Sequence, residues 1–323
     1  MEMIRRFALM ACAAVTVGTM GAAQAEYPDR PIRMVVSTSP GGGADVTARL
    51  FTPELSRRLG QQVIVENKPG ASGMIAGSYV ASQPADGYTL LFDITSFAVN
   101  PSLYPNMTYD SLSDLVPVTQ IVQAANVLVV HPSIPVATVE EFIEYAKSKN
   151  GDLAYASSGN GTAQHLTAEM FIQRTGVKMV HVPYKGGGPA LSDVMAGHVP
   201  AFFAFLTSAA PHIKEGRLKA IAVTGKSRSP LLPDVPTISE SGLPGFEAYD
   251  FNGLYAPSST PSEVVQRIQE EVAATLREPK VKSHLESLGA EVVGSSPKDF
   301  DRFLRAEMDK WGQVVKSAGV TVE

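Results

Sequence analysis

Apolar positions in this chain come in short runs that end in turns of glycine, serine and threonine, each followed by a stretch with helical spacing. The first run predicts a strand over residues 31–36. Residues 44–59 predict a helix, with Val46, Phe51, Leu55 and Leu59 near one face and a possible restart at Thr52-Pro53-Glu54. A second strand is expected over 62–66, then a glycine turn and a small-residue helix through Ala81. A third strand is expected over 88–92, ending at Asp93-Ile94-Thr95-Ser96. Pro101, Pro105 and Pro117 predict irregular chain, and Val127-Leu128-Val129-Val130 a strong strand. Thr138 with Glu141 has the form of a capping box that opens a helix.

A second series then repeats the first. Strands are expected over 153–156, 179–182, 199–205 and 218–223, with helices over 163–174 and 190–196. Residues 230–257 are rich in Pro and Gly, and 246–256 look extended enough to return to the first series. Two amphipathic helices over 262–276 and 297–316 complete the chain. The expected fold class is α/β in two lobes: 26–124 plus 248–323 form lobe 1, 125–247 form lobe 2, and the chain crosses between them twice. In open α/β sheets ligands bind beyond the carboxyl ends of the strands. Two such ends facing each other make a cleft.

The stretch Val35-Val36-Ser37-Thr38-Ser39-Pro40-Gly41-Gly42-Gly43-Ala44-Asp45 shows what the cleft can hold. Side chains nearly vanish over Gly41, Gly42 and Gly43, so a ligand can reach the main chain. The helix that follows begins with N–H groups that have no partner inside it, at the positive end of its dipole. That is a seat for a carboxylate or phosphate. Asp45 is placed to cap the helix or orient a water. The turn Ser158-Gly159-Asn160-Gly161-Thr162 and the run Lys185-Gly186-Gly187-Gly188-Pro189 have the same character, and Lys185 adds a positive charge.

The first residues read as a targeting segment. Arg5 and Arg6 precede an apolar run to Met20, and Ala23-Gln24-Ala25 has the small-x-small form of a cleavage site, so 1–25 are an expected signal peptide and the mature chain is periplasmic. The rival is lipidation at Cys12, which is the single cysteine. Either way the rest of the chain has no disulfide. The formal charge is −5 over 323 residues with no basic block, which excludes nucleic acid as a partner. No later apolar run reaches transmembrane length.

Other chemistries lack their signatures. There is no G-x-S-x-G, so Ser158 with His165 is a weak hydrolase candidate, and His165 in a first helical turn either donates to a ligand or packs. The six histidines have no metal-ligand spacing. The glycine run lacks the Lys-Ser/Thr of a P-loop and the dinucleotide fingerprint is absent. No cofactor and no metal are expected. Several anion-ready turns without catalytic machinery favour binding over turnover.

A set of ordered motifs then points to one family. Tyr27-Pro28-Asp29-Arg30-Pro31, Pro40-Gly41-Gly42 with Asp45, Glu66-Asn67-Lys68-Pro69-Gly70, Asp86-Gly87-Tyr88-Thr89-Leu90, Asn100-Pro101-Ser102-Leu103-Tyr104, His181-Val182-Pro183-Tyr184-Lys185-Gly186 and Leu232-Pro233-Asp234-Val235-Pro236-Thr237 occur in sequence. Together they resemble the extracytoplasmic solute-binding receptors of tripartite tricarboxylate transporters, the Bug family. The resemblance implies a type II-like Venus flytrap that closes on a small carboxylate through main-chain N–H groups and waters, and that presents it to membrane transporter subunits. It implies donors from residues 39–45 and 185–190, completed near Ser72, Ser96, Ser158 and Thr162. A monomer is expected. A periplasmic sensor that reports to a signalling system is the alternative. Two departures stand out: Ser37-Thr38 where the family has Pro-Phe, and Phe203-Ala204-Phe205 where it has Phe-Asp and a polar residue. Loss of the acid at Ala204 implies a ligand without an amine, an apolar-bodied or aromatic carboxylate, unless those positions are simply core.

Overall fold

The computed structural model describes residues 27–321; the expected signal segment lies outside the described residues. In chain order the elements are β1 (Ile32–Val36), α1 (Gly43–Leu59), β2 (Val63–Asn67), α2 (Met74–Ala81), β3 (Thr89–Ile94), α3 (Ser96–Leu103), β4 (Leu115–Val130), α4 (Val139–Ser148), β5 (Ala154–Ser157) and α5 (Ala163–Thr175). They continue with β6 (Val180–Pro183), α6 (Gly187–Met195), β7 (Ala201–Phe205), α7 (Leu206–Lys214), β8 (Lys219–Val223), β9 (Tyr249–Pro257), α8 (Ser262–Arg277), α9 (Pro279–Ser287), β10 (Glu291–Val292) and α10 (Pro297–Ala318).

The long strand β4 organises the molecule. Residues 115–125 pair antiparallel with β9, and 126–130 pair antiparallel with β7 and β8. In the first part β1 lies parallel between β2 and β3, and β3 pairs antiparallel with β9. In the second part β5 lies parallel between β6 and β7. The strand directions follow. β1, β2 and β3 run the same way as β4 and end toward the second part; β5, β6 and β7 run against β4 and end toward the first. The two sets of carboxyl ends therefore face each other. Ile94, which ends β3, stands level with Asn252 and so with Val122 of β4, whereas Phe205, which ends β7, stands level with Asn126. Those levels are four residues of strand apart, about 13 Å at roughly 3.3 Å per residue.

The junction is polar, buried and tightly bonded. Thr224 Oγ1 lies against Asn126 N–H and donates to Ala248 O at 2.6 Å, and Ala248 N–H donates to Thr224 O. All three residues are fully buried. Behind it the apolar core is continuous between lobes. Phe97, Tyr255, Phe300, Leu304 and Trp311 in the first merge with Phe142, Phe171 and Phe203 in the second. A separate cluster under α1, α8 and α9 holds Phe51, Leu55, Ile268 and Leu285. The C-terminal helix α10 packs on α3 and β4 and ends against α5, where Gln173 Nε2 donates to Val314 O. Beyond it Asn160 Nδ2 donates to Thr321 O at 2.5 Å.

Several expectations need correction. Pro117 does not make irregular chain: it lies inside β4, at a register shift between Pro117 and Thr119 that lets the ladder skip its missing N–H. Pro101 likewise sits inside α3. Pro53 does not restart α1, which runs unbroken over 17 residues, and Val46 faces outward at 41% exposure. At the capping box, Thr138 accepts from Glu141 N–H, but the Glu141 carboxylate reaches Ala137 N–H rather than that of Thr138.

Candidate functional site

The site is assembled from the turns that join strand ends to helices. Six helices begin at strand ends that face the gap: α1, α2, α3, α5, α6 and α7. Only α5 has a side-chain cap, from Thr162. Two helices that begin elsewhere, α4 and α10, are capped by Thr138 and Ser296. An uncapped helix start leaves its first N–H groups to solvent or to a ligand. Cβ atoms built on Gly43, Gly187 and Gly188 meet nothing within 4 Å. The space over the starts of α1 and α6 is open.

On the first lobe, the loop after β1 is pinned from below. Ser37 is buried, and its hydroxyl donates to Asp93 Oδ1 at 2.5 Å; Ile94 N–H donates to the same oxygen at 2.7 Å. Asn67 Nδ2 donates both to Thr38 O and to Asp45 Oδ1 at 2.9 Å. Asp45 neither caps α1 nor faces the gap. It is 3% exposed, its Oδ2 accepts from Gly41 N–H at 2.8 Å, and its Oδ1 accepts from Arg49 Nε at 2.9 Å. Burial alone raises its pKa, but the bonds from Arg49, Gly41 and Asn67 outweigh it and hold the carboxyl below its usual range. Asp45 thus shapes the loop. Gly41, at φ +79°, takes a conformation that favours glycine. Ser39 and Gly43 are exposed, Gly42 partly so, and Ala44 is buried behind them.

The α3 start is tied to the crossover strand. Thr95 Oγ1 donates to Asp250 Oδ1 at 2.5 Å and accepts from Phe251 N–H at 2.9 Å. Ser96, next in chain, has a buried hydroxyl with no protein partner, as does Thr38. Ser72 lies in a turn, Ala71–Gly73, where four successive residues from Gly70 have positive φ. Its hydroxyl meets Tyr104 OH at 3.0 Å, and its carbonyl accepts from Asn100 Nδ2 at 2.8 Å. Two surface depressions of about 500 Å³ lie outside the gap, one lined by Tyr104, Tyr109 and Met308, the other by Ala71, Ile75 and Tyr79.

On the second lobe, Ser158 Oγ donates to Gln164 Oε1 at 2.6 Å, and Thr162 Oγ1 donates to Gly159 O at 2.8 Å. Gln164 is 1% exposed with no partner for its Nε2. Gly186, at φ +111°, precedes the uncapped α6, and Lys185 is exposed beside it. His165 does not face the gap. It is 4% exposed, and its Nδ1 accepts from Gly161 N–H at 3.0 Å. Ala204 is wholly buried beside Val127, Phe202 and Leu206, so it is core and cannot touch a ligand in this conformation. A small residue on the inner face of β7 packs there as any core alanine does. Its neighbour Phe205 is partly exposed at the strand end.

Sequence reading therefore missed the second layer: Asn67, Asp93, Asn100, Gln164, His181 and Asp250. One signal was legible. Asp93 stands next to last in a largely apolar strand, and a buried acid there needs a partner.

Comparison with known proteins agrees with this geometry. The sequence pattern of the tripartite tricarboxylate transporter family receptor (TctC) matches residues 47–320. Protein BugT of Bordetella pertussis is 35% identical over 326 residues, covering all of both chains. Among solved structures, Rpa4515 of R. palustris with adipate is 38% identical with a TM-score of 0.81, over 92% of this chain and 99% of that one. MatC of Rhodopseudomonas palustris with bound malate is 31% identical with a TM-score of 0.77, over 90% of this chain and 100% of that one. Periplasmic binding protein BugD is 35% identical with a TM-score of 0.78, over 92% of this chain and 100% of that one. Facing strand ends, open helix starts and full-length likeness converge: the chain belongs to the TctC or Bug family of periplasmic solute-binding receptors.

Proposed function

We propose that this chain captures a small carboxylate between its lobes and hands it, unchanged, to the membrane subunits of a tripartite tricarboxylate transporter. The observation that carries this reading is the pair of uncapped helix starts, α1 and α6, on opposite strand ends. Each offers N–H donors and the positive end of a helix dipole to an anion. In the proposed site, Ser39, Gly41, Gly42, Gly43 and Ser96 line the first lobe. Ser158, Thr162, Lys185, Gly186, Gly187 and Gly188 line the second, and Thr38 and Ser72 lie at its edge. Two family members with adipate and malate support the ligand class. Waters complete the contacts, as they do at little cost in polar clefts. The receptor works as a monomer in the periplasm, on 26–124 plus 248–323 and 125–247 as its two moving bodies, after removal of 1–25.

The body of the ligand is apolar. Both oxygens of Asp45 are used within the protein, Asp93 is fully buried, and Phe205 rather than an acid ends β7. A ligand ammonium would find no free carboxylate there. Thermal unfolding with adipate, malate, benzoate and aspartate tests this. Ligand at a hundred times Kd stabilises by about 2.7 kcal/mol. Adipate or benzoate is expected to raise Tm; a rise with aspartate alone would overturn the apolar assignment, and no rise with any acid would overturn the receptor reading.

A further inference from the structure

Behind the Ser158 turn lies a stack of rings that the binding reading leaves unexplained. The imidazoles of His165 and His181 lie face to face, 3.7 Å between centroids and 8° from parallel. Tyr155 lies beside the pair, 5.1 Å from His181 and 6.3 Å from His165 between centroids, with its ring within about 30° of parallel to both. His165 Nδ1 accepts from Gly161 N–H, so its proton is on Nε2, which points toward Glu169 Oε1 at 3.8 Å. That carboxylate oxygen also accepts from Tyr155 OH at 2.5 Å. His181 Nε2 meets Ser157 Oγ at 2.6 Å, and Ser157 Oγ in turn accepts from Gly159 N–H at 3.1 Å. Each imidazole thus reaches one of the two glycines that shape the turn, His165 directly and His181 through Ser157. Gly159 and Gly161 have φ of +140° and +71°, conformations with little intrinsic preference to stay put.

We infer that His165 and His181 are positioning residues, which as a neutral stacked pair hold the Ser158–Thr162 turn in the shape that presents Ser158, Thr162 and the first N–H groups of α5 to the ligand. This rests on the proposed carboxylate site. The chemistry requires neutrality. Protonation of His165 at Nδ1 sets a donor against the Gly161 donor, and two imidazolium rings at this spacing repel. The titratable groups that face the pair are Glu169 from α5 and Tyr155 from β5. Burial favours the neutral form of both rings: it pushes His165 down to about 3, with His181 as the second cause, and His181 down to about 4.

The test uses His165→Ala, His165→Asn, His181→Ala and His181→Gln in the mature chain. Asparagine keeps an acceptor near Nδ1, and glutamine keeps a polar atom near Nε2. Hydrogen exchange of residues 157–164 is read without ligand, and adipate affinity is read by isothermal titration. Each alanine variant is expected to exchange faster in that segment alone and to bind adipate about tenfold more weakly, the scale of one lost buried hydrogen bond. Each amide variant is expected to recover protection and to bind within about threefold of the native chain. Unchanged exchange and affinity in the alanine variants, or amide variants no better than alanine, would overturn the inference. If the native chain binds no carboxylate, the receptor reading fails, and the exchange data with the amide rescue still decide whether the pair holds the turn.

Discussion

The two walls of the cleft do the same task with opposite chemistry. The first lobe fixes its donor loops with buried carboxyls: Ser37 and Ile94 on Asp93, Gly41 and Asn67 on Asp45, Thr95 on Asp250. The second fixes its turn with neutral imidazoles and glycine. A carboxyl accepts several N–H and O–H bonds at once, so it gathers a loop well, but its charge opposes an anion nearby. Arg49 offsets that charge at Asp45. At Asp93, where no cation is placed, burial pushes the pKa up to about 6, against the lowering effect of Ser37 and Ile94. The second wall carries Lys185, and the acid behind its rings, Glu169, is engaged by Tyr155 and faces His165. The lesson is that the proposed anion site can keep acids behind it because each is paired, hydrogen-bonded or readily protonated.

The largest expected effect tests whether both walls are needed. A Cβ at Gly187 or at Gly43 meets nothing within 4 Å, so a leucine there starts into open space. Each is expected to weaken adipate binding by at least a hundredfold in calorimetry, about 2.7 kcal/mol, while unliganded Tm stays within a few degrees. Loss in one lobe only would show that a single wall holds the ligand. Next, Asp45→Ala leaves Gly41 N–H, Asn67 and Arg49 without their acceptor. An expected cost of about 2 kcal/mol in urea unfolding follows, with Asp45→Asn recovering part.

A smaller effect separates the walls by pH. The folded pKa of Asp93 is raised, so the folded chain binds its proton first, and this group adds stability as pH falls through about 6 until the unfolded carboxyl titrates near its ordinary value of 3.8. The folded pKa values of His165 and His181 are lowered, so the unfolded chain binds their protons first. Their contribution is lost as pH falls from 6.5 toward about 4 and about 3. The two trends oppose each other between about 4 and 6. Asp93→Asn removes one of them, so its stability is expected to fall more steeply from pH 6 to 5 than the native chain's, by up to about 1 kcal/mol. Parallel urea curves at the two pH values would show that Asp93 does not titrate there. The smallest effect concerns Ala71, held at φ +47°. Ala71→Gly is expected to be neutral or to stabilise by about 0.5 kcal/mol, since release of left-handed strain competes with added freedom in the unfolded chain.

Much of this was legible from local pattern. Period and turn chemistry gave β1 through β3, the second series from β5 to β8, and the cap at Thr138, because these depend on neighbours in sequence. The glycine runs at 41–43 and 186–188 were legible as open backbone for the same reason. What stayed hidden depends on long-range pairing. Pro117 reads as a breaker until a register shift in the β4–β9 ladder accommodates it. Pro101 reads the same way until α3 is seen packed under α10. Ala204 and Phe205 are adjacent, and only the pairing of β7 with β4 shows that the first is core and the second is at the strand end. Asp45 looked like a ligand contact because nothing local reveals that Asn67, 22 residues on, shares its Oδ1 with Arg49.

One contact has a practical sequel. The carbonyl of Thr321, at the tail of the chain, touches Asn160 within the second-lobe turn. Position 321 is therefore a natural place for a reporter: an environment-sensitive dye there stands beside a turn of the proposed site, so its emission is expected to register occupancy without any probe inside the cleft.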